Sequence, residues 1–400
     1  MTSTPHAALG RLARRSVEII TANQDAGGAY LASPAFPVYR YSWFRDGAFI
    51  ADAMSRAGEV ASADAFFAWC ARVITDRADQ ITSLIERAAR GESIPANEQL
   101  PTRFTVDGAE VVDEEWWDFQ LDGYGTWMWA LDAHLRRHRT DGRYRRCLAP
   151  QVTAESSEPL SEVPGTVGDG PQRDDLLPAV ELCADYLAAF WSEPCYDWWE
   201  EHADGVHPST LCAIAAGLRA AVSLGAGNDV AERATKAVDD IVELVESKGV
   251  VDGHLVKTID RGDAVDASLI ACSVAFGIIE PGSPVAEATY RAVVDELGPD
   301  GVHRYRADTF YGGGRWVVLA GFIGWYEAVT GRTEDAWRRL SWMHDQADAD
   351  DNLPEQVTGH SWDPSFISVW EERWGPVAQP LLWSHAMYIT LTDALDDHAH

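Results

Sequence analysis

Apolar positions recur along most of the chain in alternating steps of three and four, the period of a helix with one buried face. Between 209 and 224, Leu211, Ile214, Ala215, Leu218 and Val222 follow this spacing, and Gly225 stands where a C-terminal cap falls. Between 263 and 276, Val265, Leu269, Cys272 and Phe276 repeat it, with Gly277 next. The pattern predicts about twelve helices: 6–23, 46–57, 61–89, 124–139, 174–192, 207–224, 228–247, 263–277, 283–297, 313–330, 333–348 and 380–396. No strand series at period two stands out. Helices of about 15 residues joined by alternately short and long connections predict paired hairpins closing into an all-α toroid. An open superhelical stack is the alternative, but no repeated signature of roughly 34–40 residues supports it. The polar, turn-rich stretch 148–173 is flanked by helices. It reads as a surface loop inside one domain spanning 1–400.

Composition narrows the class. Of 400 residues, 46% are hydrophobic and 24% charged, which excludes a disordered chain, a collagen or a coiled coil. No apolar run of about 18 residues predicts a membrane span. The opening MTSTPHAALGRLARRS lacks an apolar signal core, so the expected location is cytoplasmic. Asp and Glu number 63 against 32 Lys and Arg, a net charge of −31. Such a surface repels nucleic acid and anionic membranes, so neither is expected as a partner. Only Lys236, Lys248 and Lys257 are lysines.

The six cysteines (70, 147, 183, 195, 212 and 272) form no CxxC pair and are expected as free buried thiols. His134 and His138 lie four apart with no carboxylate between them, which reads as a packed or surface pair. No metal or other cofactor is expected.

Seventeen tryptophans are the more informative count, because several sit with carboxylates in loops: Trp43, Trp116, Trp117, Trp198, Trp199, Trp362, Trp370, Trp374 and Trp383. Indole faces beside Asp, Glu and Arg suit a ligand with apolar C–H faces and many hydroxyls, as a sugar has. Any one of them alone reads equally as core or rim.

Five inter-helix segments carry the candidate chemistry. Tyr39-Arg-Tyr-Ser-Trp-Phe-Arg-Asp46 ends in Arg45 and Asp46, a donor and acceptor fork for two neighbouring hydroxyls, or else an ordinary helix cap with a salt bridge. Glu114 to Gly125 combines carboxylates, indoles and an amide, with Gln120 and Asp122 on one face of an extended stretch. Asp197-Trp-Trp-Glu-Glu-His202 sets two carboxylates after two indoles, and a carboxyl desolvated by Trp suits a general acid. His303 to Trp316 holds Arg304, Tyr305 and Asp308, which could repeat the fork. Its glycines 312–314 are followed by no Lys-Ser/Thr, so a phosphate cradle does not fit. Asn352-Leu-Pro-Glu-Gln356 presents Glu355, ahead of Pro380-Leu-Leu-Trp-Ser-His385. Glu200 and Glu355, 155 positions apart, could face one another across the toroid. A protonated acid for the leaving oxygen and an ionised base for the water are the apparatus of glycoside hydrolysis.

In that order the segments resemble glycoside hydrolase family 15, which includes glucoamylase, glucodextranase and some trehalases. YSWFRDGAF is similar to its Y-x-W-x-R-D segment and FQLDGYGTWMWAL to its Q-x-D-G segment. DWWEE is similar to the motif of the general acid, RYRADTFYGGGRW to the R-Y-x-x-D-x-Y segment, and LPEQ with PLLWSHA to the motif of the general base. The resemblance covers residues 39 to 388 and implies an (α/α)6 barrel of six helical hairpins, an inverting mechanism and no cofactor. It implies Glu200 as general acid and Glu355 as general base, with Glu201 binding sugar. Arg45 and Asp46 would grip the far hydroxyls of the non-reducing glucose, and Tyr39 would stand by the oxocarbenium centre. Arg304, Trp116, Trp199 and Trp383 would line the first two subsites, with Trp43, Gln120, Asp122, Tyr305 and Asp308 completing the expected site.

One helix is predicted before the first motif, where bacterial and archaeal relatives usually carry a β-sandwich domain, and no starch-binding module is expected. A short α-glucoside is therefore the expected substrate, α-1,6-linked slightly ahead of α-1,4. Trehalose hydrolysis by the same carboxylates is the nearest alternative. An epimerase or lyase on a related toroid would need His or Tyr bases, and a non-catalytic sugar sensor would not need both carboxylates.

Overall fold

The computed structural model describes residues 6–111, 119–138 and 173–397, and fourteen helices account for more than half of these described residues. They are α1 (His6–Ala22), α2 (Phe44–Arg56), α3 (Val60–Thr75), α4 (Ala78–Ala89), α5 (Asp122–Arg137), α6 (Arg173–Phe190) and α7 (Pro208–Ser223). Then come α8 (Asn228–Lys248), α9 (Ala271–Val274), α10 (Pro284–Leu297), α11 (Val317–Val329), α12 (Thr333–His344), α13 (Ser365–Trp374) and α14 (Leu382–Asp397). A 3-10 turn, Ala267–Ile270, runs directly into α9.

Two sequence patterns separate the layers. α11 is apolar nearly all round and is buried from Val317 to Ala328, and α2 and α7 are buried almost as completely. α8 instead buries only Ala234, Ala237, Val238, Ile241 and Val245, a single stripe of an otherwise charged helix. The fully buried helices form an inner ring. α2 packs on α5, α5 on α7, α7 on the 267–274 segment, that segment on α11, α11 on α14, and α14 back on α2. The outer layer alternates with it in sequence: α1 lies on α14, α3 on α2, α6 on α3 and α8, α8 on α7, α10 on 267–270, and α12 on α11. This is the (α/α)6 barrel expected, with α4 and α13 as additions.

The tightest crossing is between α5 and α7. A Cβ on Gly217 would fall 2.5 Å from the Gly125 Cα, and one on Gly125 would fall 2.3 Å from the Ala213 carbonyl oxygen. The backbones touch there because neither helix has a side chain to keep them apart.

Three departures from the expected helices have local causes. The run 61–89 breaks at Asp76–Arg77, where the Arg77 guanidinium turns back to donate to the Val73 and Gly108 carbonyls at 2.9 Å each. The span 263–277 is helical only over 267–274. Its first residues pair elsewhere: Lys257 N–H donates to the Ala264 carbonyl, and Ala267 N–H to the Arg304 carbonyl. The Trp-rich stretch 357–379 contains α13, started by Asp363 accepting from Ser365 N–H at 3.0 Å and ended by Gly375 at φ 92°. Pro364 before it and Gly375 after it were readable helix signals.

Strand structure among the described residues is confined to three antiparallel two-residue pairs. β1 (Ser42–Trp43) pairs with β2 (Arg103–Phe104), β3 (Val250–Val251) with β4 (His254–Leu255), and β5 (Arg315–Trp316) with β6 (Gln356–Val357). The first and last clamp the loops that enter α2 and α11.

The barrel axis is filled by aromatic rings from successive inner elements. Phe49 of α2 stacks on Trp383 of α14 at 5.4 Å and meets Phe322 of α11 edge-on at 5.1 Å, and Trp198 closes the group 5.7 Å from Trp383. Cys70, Cys183, Cys195, Cys212 and Cys272 are free and buried, while Cys147 lies outside the described residues. His134 and His138 share Ser55 Oγ at 2.8 and 3.1 Å, and His134 Nε2 meets Asp64 Oδ1 at 3.0 Å, a polar bridge between inner and outer helices. No described helix is long and apolar enough to cross a membrane.

Candidate active site

Above the aromatic plug lies a cavity of about 270 Å³, lined from Ala32 near the start of the chain to Trp383 near its end. Trp198 and Trp383 belong to both, so the plug is the floor of the cavity. Of the residues expected from sequence, Tyr39, Trp43, Arg45, Asp46, Trp199, Glu200, Glu201, Arg304, Glu355 and Trp383 line it. Gln120, Asp122, Tyr305 and Asp308 lie one layer behind. Trp116 lies outside the described residues.

Arg45 and Asp46 begin α2 and are nearly buried, with their Nε and Oδ2 atoms 3.3 Å apart. The back of the Arg45 guanidinium is held by Gln120 Oε1 at 3.1 Å, Asp122 Oδ2 at 3.4 Å and Glu200 Oε1 at 3.4 Å. Arg45 Nε and Asp46 Oδ2 make no directed hydrogen bond in the protein. The fork is therefore oriented from behind, and both of its residues line the cavity. Burial pushes the Asp46 carboxyl up to about 6, against the pull of Arg45. The other expected fork is closed. Arg304 donates to both oxygens of Asp308, at 2.8 and 2.5 Å, and Asp308 also accepts from Phe310 N–H. Only the outer edge of Arg304 reaches the cavity, where Nη2 meets Glu201 Oε1 at 3.2 Å, and the Tyr305 hydroxyl donates to the second oxygen of Glu201.

Glu200 sits on the loop 197–202 in the left-handed region, φ 60°, which places its side chain against the first motif. Trp43 Nε1 donates to Glu200 Oε1 at 2.7 Å. Glu355 comes from the opposite side of the ring. Its backbone is fixed at both ends: its N–H donates to the Ala378 carbonyl at 2.9 Å and its carbonyl accepts from Val317 N–H at 3.1 Å. The residue is 2% exposed, and its Oε2 has no hydrogen-bond partner in the protein. Burial pushes the Glu355 carboxyl up to about 8, although Arg304 and the Tyr39 hydroxyl both draw it down. Burial and the two carboxylates hold the Tyr39 phenol far above its ordinary value, so it stays a donor.

Behind this wall the ligand atoms of Asp197, Glu201 and His202 come within 4.8 Å of one another. Asp197 Oδ2 is already occupied by Lys257 Nζ at 2.7 Å and His202 Nδ1 at 2.9 Å. The Lys257 ammonium brings a positive charge to this cluster.

Sequence reading passed over Phe310, Trp316, Tyr196 and Arg373, which also line the cavity. Phe310 and Trp316 lie within a motif already singled out, but as apolar rings they read as core. Arg373 is one turn from Trp370 on α13 and lies 5.6 and 4.7 Å from the centroids of the Trp370 and Trp374 rings, and the missed helix concealed that grouping.

An aromatic pocket closed at one end, with one carboxyl near its floor and a second on its wall, inside an (α/α)6 ring, defines a glycoside hydrolase. The chain belongs to the glycosyl hydrolases family 15, whose family model matches residues 10–336. It is 45% identical over 394 residues to the isomaltose glucohydrolase of Kribbella flavida, covering 97% of this chain and 94% of that protein. A wild-type glycosidase of known structure superposes with a TM-score of 0.87 at 43% identity, covering 98% of this chain and 97% of its own. A bacterial glucoamylase solved with acarbose shares the fold at a TM-score of 0.70 and 21% identity, over 97% of this chain and 55% of its own.

Proposed function

We propose that the protein is an inverting, exo-acting glucohydrolase that releases β-glucose from the non-reducing end of short α-glucosides. Isomaltose and isomalto-oligosaccharides are the preferred substrates, ahead of α-1,4-linked sugars and trehalose. The observation that carries this reading is the blind pocket, in which the buried Glu355 and the wall carboxyl of Glu200 line one small volume. A closed floor admits a chain end and not a chain middle. A volume of about 270 Å³ is near the lower bound for small-molecule sites, which suits one or two sugar rings. The α-1,6 preference rests on the kinship with the isomaltose glucohydrolase.

In this mechanism the terminal glucose stands on the indole floor with its far hydroxyls gripped by Arg45 and Asp46. Glu200 gives its proton to the glycosidic oxygen as the C1–O bond breaks. Glu355 takes a proton from the water whose oxygen bonds to C1 from the other face, so the anomeric centre inverts. Glu201, held by Arg304 and Tyr305, meets the departing sugar.

The high value for Glu355 alone would suit a proton donor equally well. Position supports the roles given. The leaving sugar departs towards the mouth, where Glu201 is 33% exposed beside Glu200. The water attacks from the enclosed side, where Glu355 keeps an unpaired oxygen. Reaction at Glu355 then requires loss of its proton, with Arg304 and Tyr39 favouring the ionised form.

The test is incubation with isomaltose, maltose, panose, trehalose and dextran, with glucose release followed by anomer-resolved NMR. Initial β-glucose, fastest from isomaltose, is expected. Initial α-glucose overturns the inverting mechanism, and faster release from maltose or trehalose overturns the linkage preference.

A further inference from the structure

We propose that Lys257 is the positioning residue of the acid-bearing loop: its ammonium, bridging Asp197 and Asp266, holds Trp199, Glu200 and Glu201 as one rigid wall. This rests on the reading of Glu200 as the general acid.

The chain has three lysines, and two of them are ordinary. Lys236 and Lys248 are exposed and pair with exposed Asp240 and Asp260. The Lys257 side chain is 9% exposed. Taking an ammonium out of water is unfavourable unless its hydrogens are all directed to partners. Here Nζ donates to Asp197 Oδ2 at 2.7 Å and Asp266 Oδ2 at 2.6 Å, and it lies 4.0 Å from the centroid of the Tyr305 ring. Lys257 is not among the residues lining the cavity. It acts through the two carboxylates it joins.

Those carboxylates grip the wall from both ends. Asp197 Oδ1 accepts the backbone N–H of Trp199 and of Glu201, at 3.0 Å each. Asp266 accepts the indole N–H of Trp199, at 2.9 Å through Oδ2 and 3.1 Å through Oδ1. Trp199 is thus held by its main chain and its ring tip, both tied to one cation. Glu200 lies between the two anchored N–H groups, at φ 60°, a conformation an L residue keeps only when its surroundings impose it. The turn is completed by Asp197 N–H on the Glu201 carbonyl at 2.8 Å and Glu200 N–H on the Asp197 carbonyl at 3.0 Å. Without the ammonium, Asp197 and Asp266 face each other as like charges and separate, and the restraint on Glu200 goes with them.

The experiment compares Lys257→Met, Lys257→Arg and Glu200→Gln enzymes on isomaltose and on α-glucosyl fluoride, whose fluoride leaves without a general acid. The Lys257→Met enzyme should lose at least about tenfold in kcat on isomaltose, part of the usual contribution of a general acid. On the fluoride it should stay within about threefold of the parent, with Lys257→Arg recovering most of the isomaltose rate. Equal losses on both substrates in a folded variant, or no loss on isomaltose, overturn the proposal. If Lys257→Met does not fold, Asp266→Ala removes both acceptors of the Trp199 indole and takes its place, with the same two outcomes. Glu200→Gln separates the premise from the inference. If it loses both substrates equally, the acid assignment fails. If it spares the fluoride while the Lys257 and Asp266 variants do not, only the inference fails.

Discussion

The indole N–H of Trp43 donates to Glu200 Oε1 at 2.7 Å, joining the first motif to a residue 157 positions later. Trp43 also meets the Tyr39 ring edge-on at 5.7 Å, so one indole sets the spacing between the proposed acid and the tyrosine beside the proposed base. Trp43→Phe keeps the ring and removes the donor. Its kcat on isomaltose should fall about tenfold with a smaller change in KM, since a hydrogen bond that strengthens as Glu200 gives up its proton is lost. Steady-state kinetics at one pH decide it, and an unchanged kcat would mean the contact is incidental.

Glu355 is expected to harm stability while serving catalysis. Its folded value of about 8 stands above the 4.5 of an ordinary glutamate. Below pH 4.5 the carboxyl is neutral folded or unfolded and has no pH-linked effect. Between 4.5 and 8 the unfolded chain ionises first, so the folded state loses stability as pH rises, and above 8 the loss is constant. Glu355→Gln should therefore abolish hydrolysis of both isomaltose and glucosyl fluoride. It should match the parent in thermal unfolding near pH 4 and exceed it at pH 8, by on the order of a few kcal/mol. Equal Tm differences at both pH values would sink the argument.

The Tyr39 hydroxyl donates to Glu355 and lowers its affinity for a proton. Removing that donor raises the Glu355 value further. In Tyr39→Phe the acidic limb of kcat/KM, where the base loses its proton, should move to higher pH, and the pH–rate profile from 4 to 9 measures it. A limb that stays in place or moves down contradicts the role given to Tyr39.

Gly217→Ala places a methyl 2.5 Å from the Gly125 Cα, where only backbone can move. Overpacking of this kind destabilises by about 1–3 kcal/mol, and the two helices forced apart both belong to the inner ring. A drop in Tm of several degrees is expected in calorimetry, with KM for isomaltose nearly unchanged in the remaining folded enzyme. An unaltered Tm would show that the crossing has slack.

The ring was legible in the sequence because its helices declare their layer by pattern: α11 apolar all round, α8 striped. The break at Asp76–Arg77 was not, because it depends on where a guanidinium goes and on no residue that disfavours helix. In the site, residue type was legible and depth was not. Arg45 with Asp46 and Arg304 with Asp308 have the same chemistry on paper. Asp46 lines the cavity and keeps one oxygen without a directed hydrogen bond, whereas Asp308 has both oxygens on its own arginine. Gln120 and Asp122 do share a face, as their spacing implied, but that face meets Arg45. The pull of burial on Glu355 was also invisible, since no tryptophan adjoins it in the sequence and its enclosure comes from chain far away.

The ring closes only where α14 returns to α2, and the cavity draws its lining from Ala32 through to Trp383. The two carboxylates and the floor beneath them are spread from Phe49 to Trp383, so no short fragment of the chain carries them together. Recovery from denaturant should accordingly be sequential in its signals, with helical content returning first and the capacity to turn over sugar arriving with the final docking of the two ends. Competence in this enzyme is a property of closure, gained and lost as a single cooperative event.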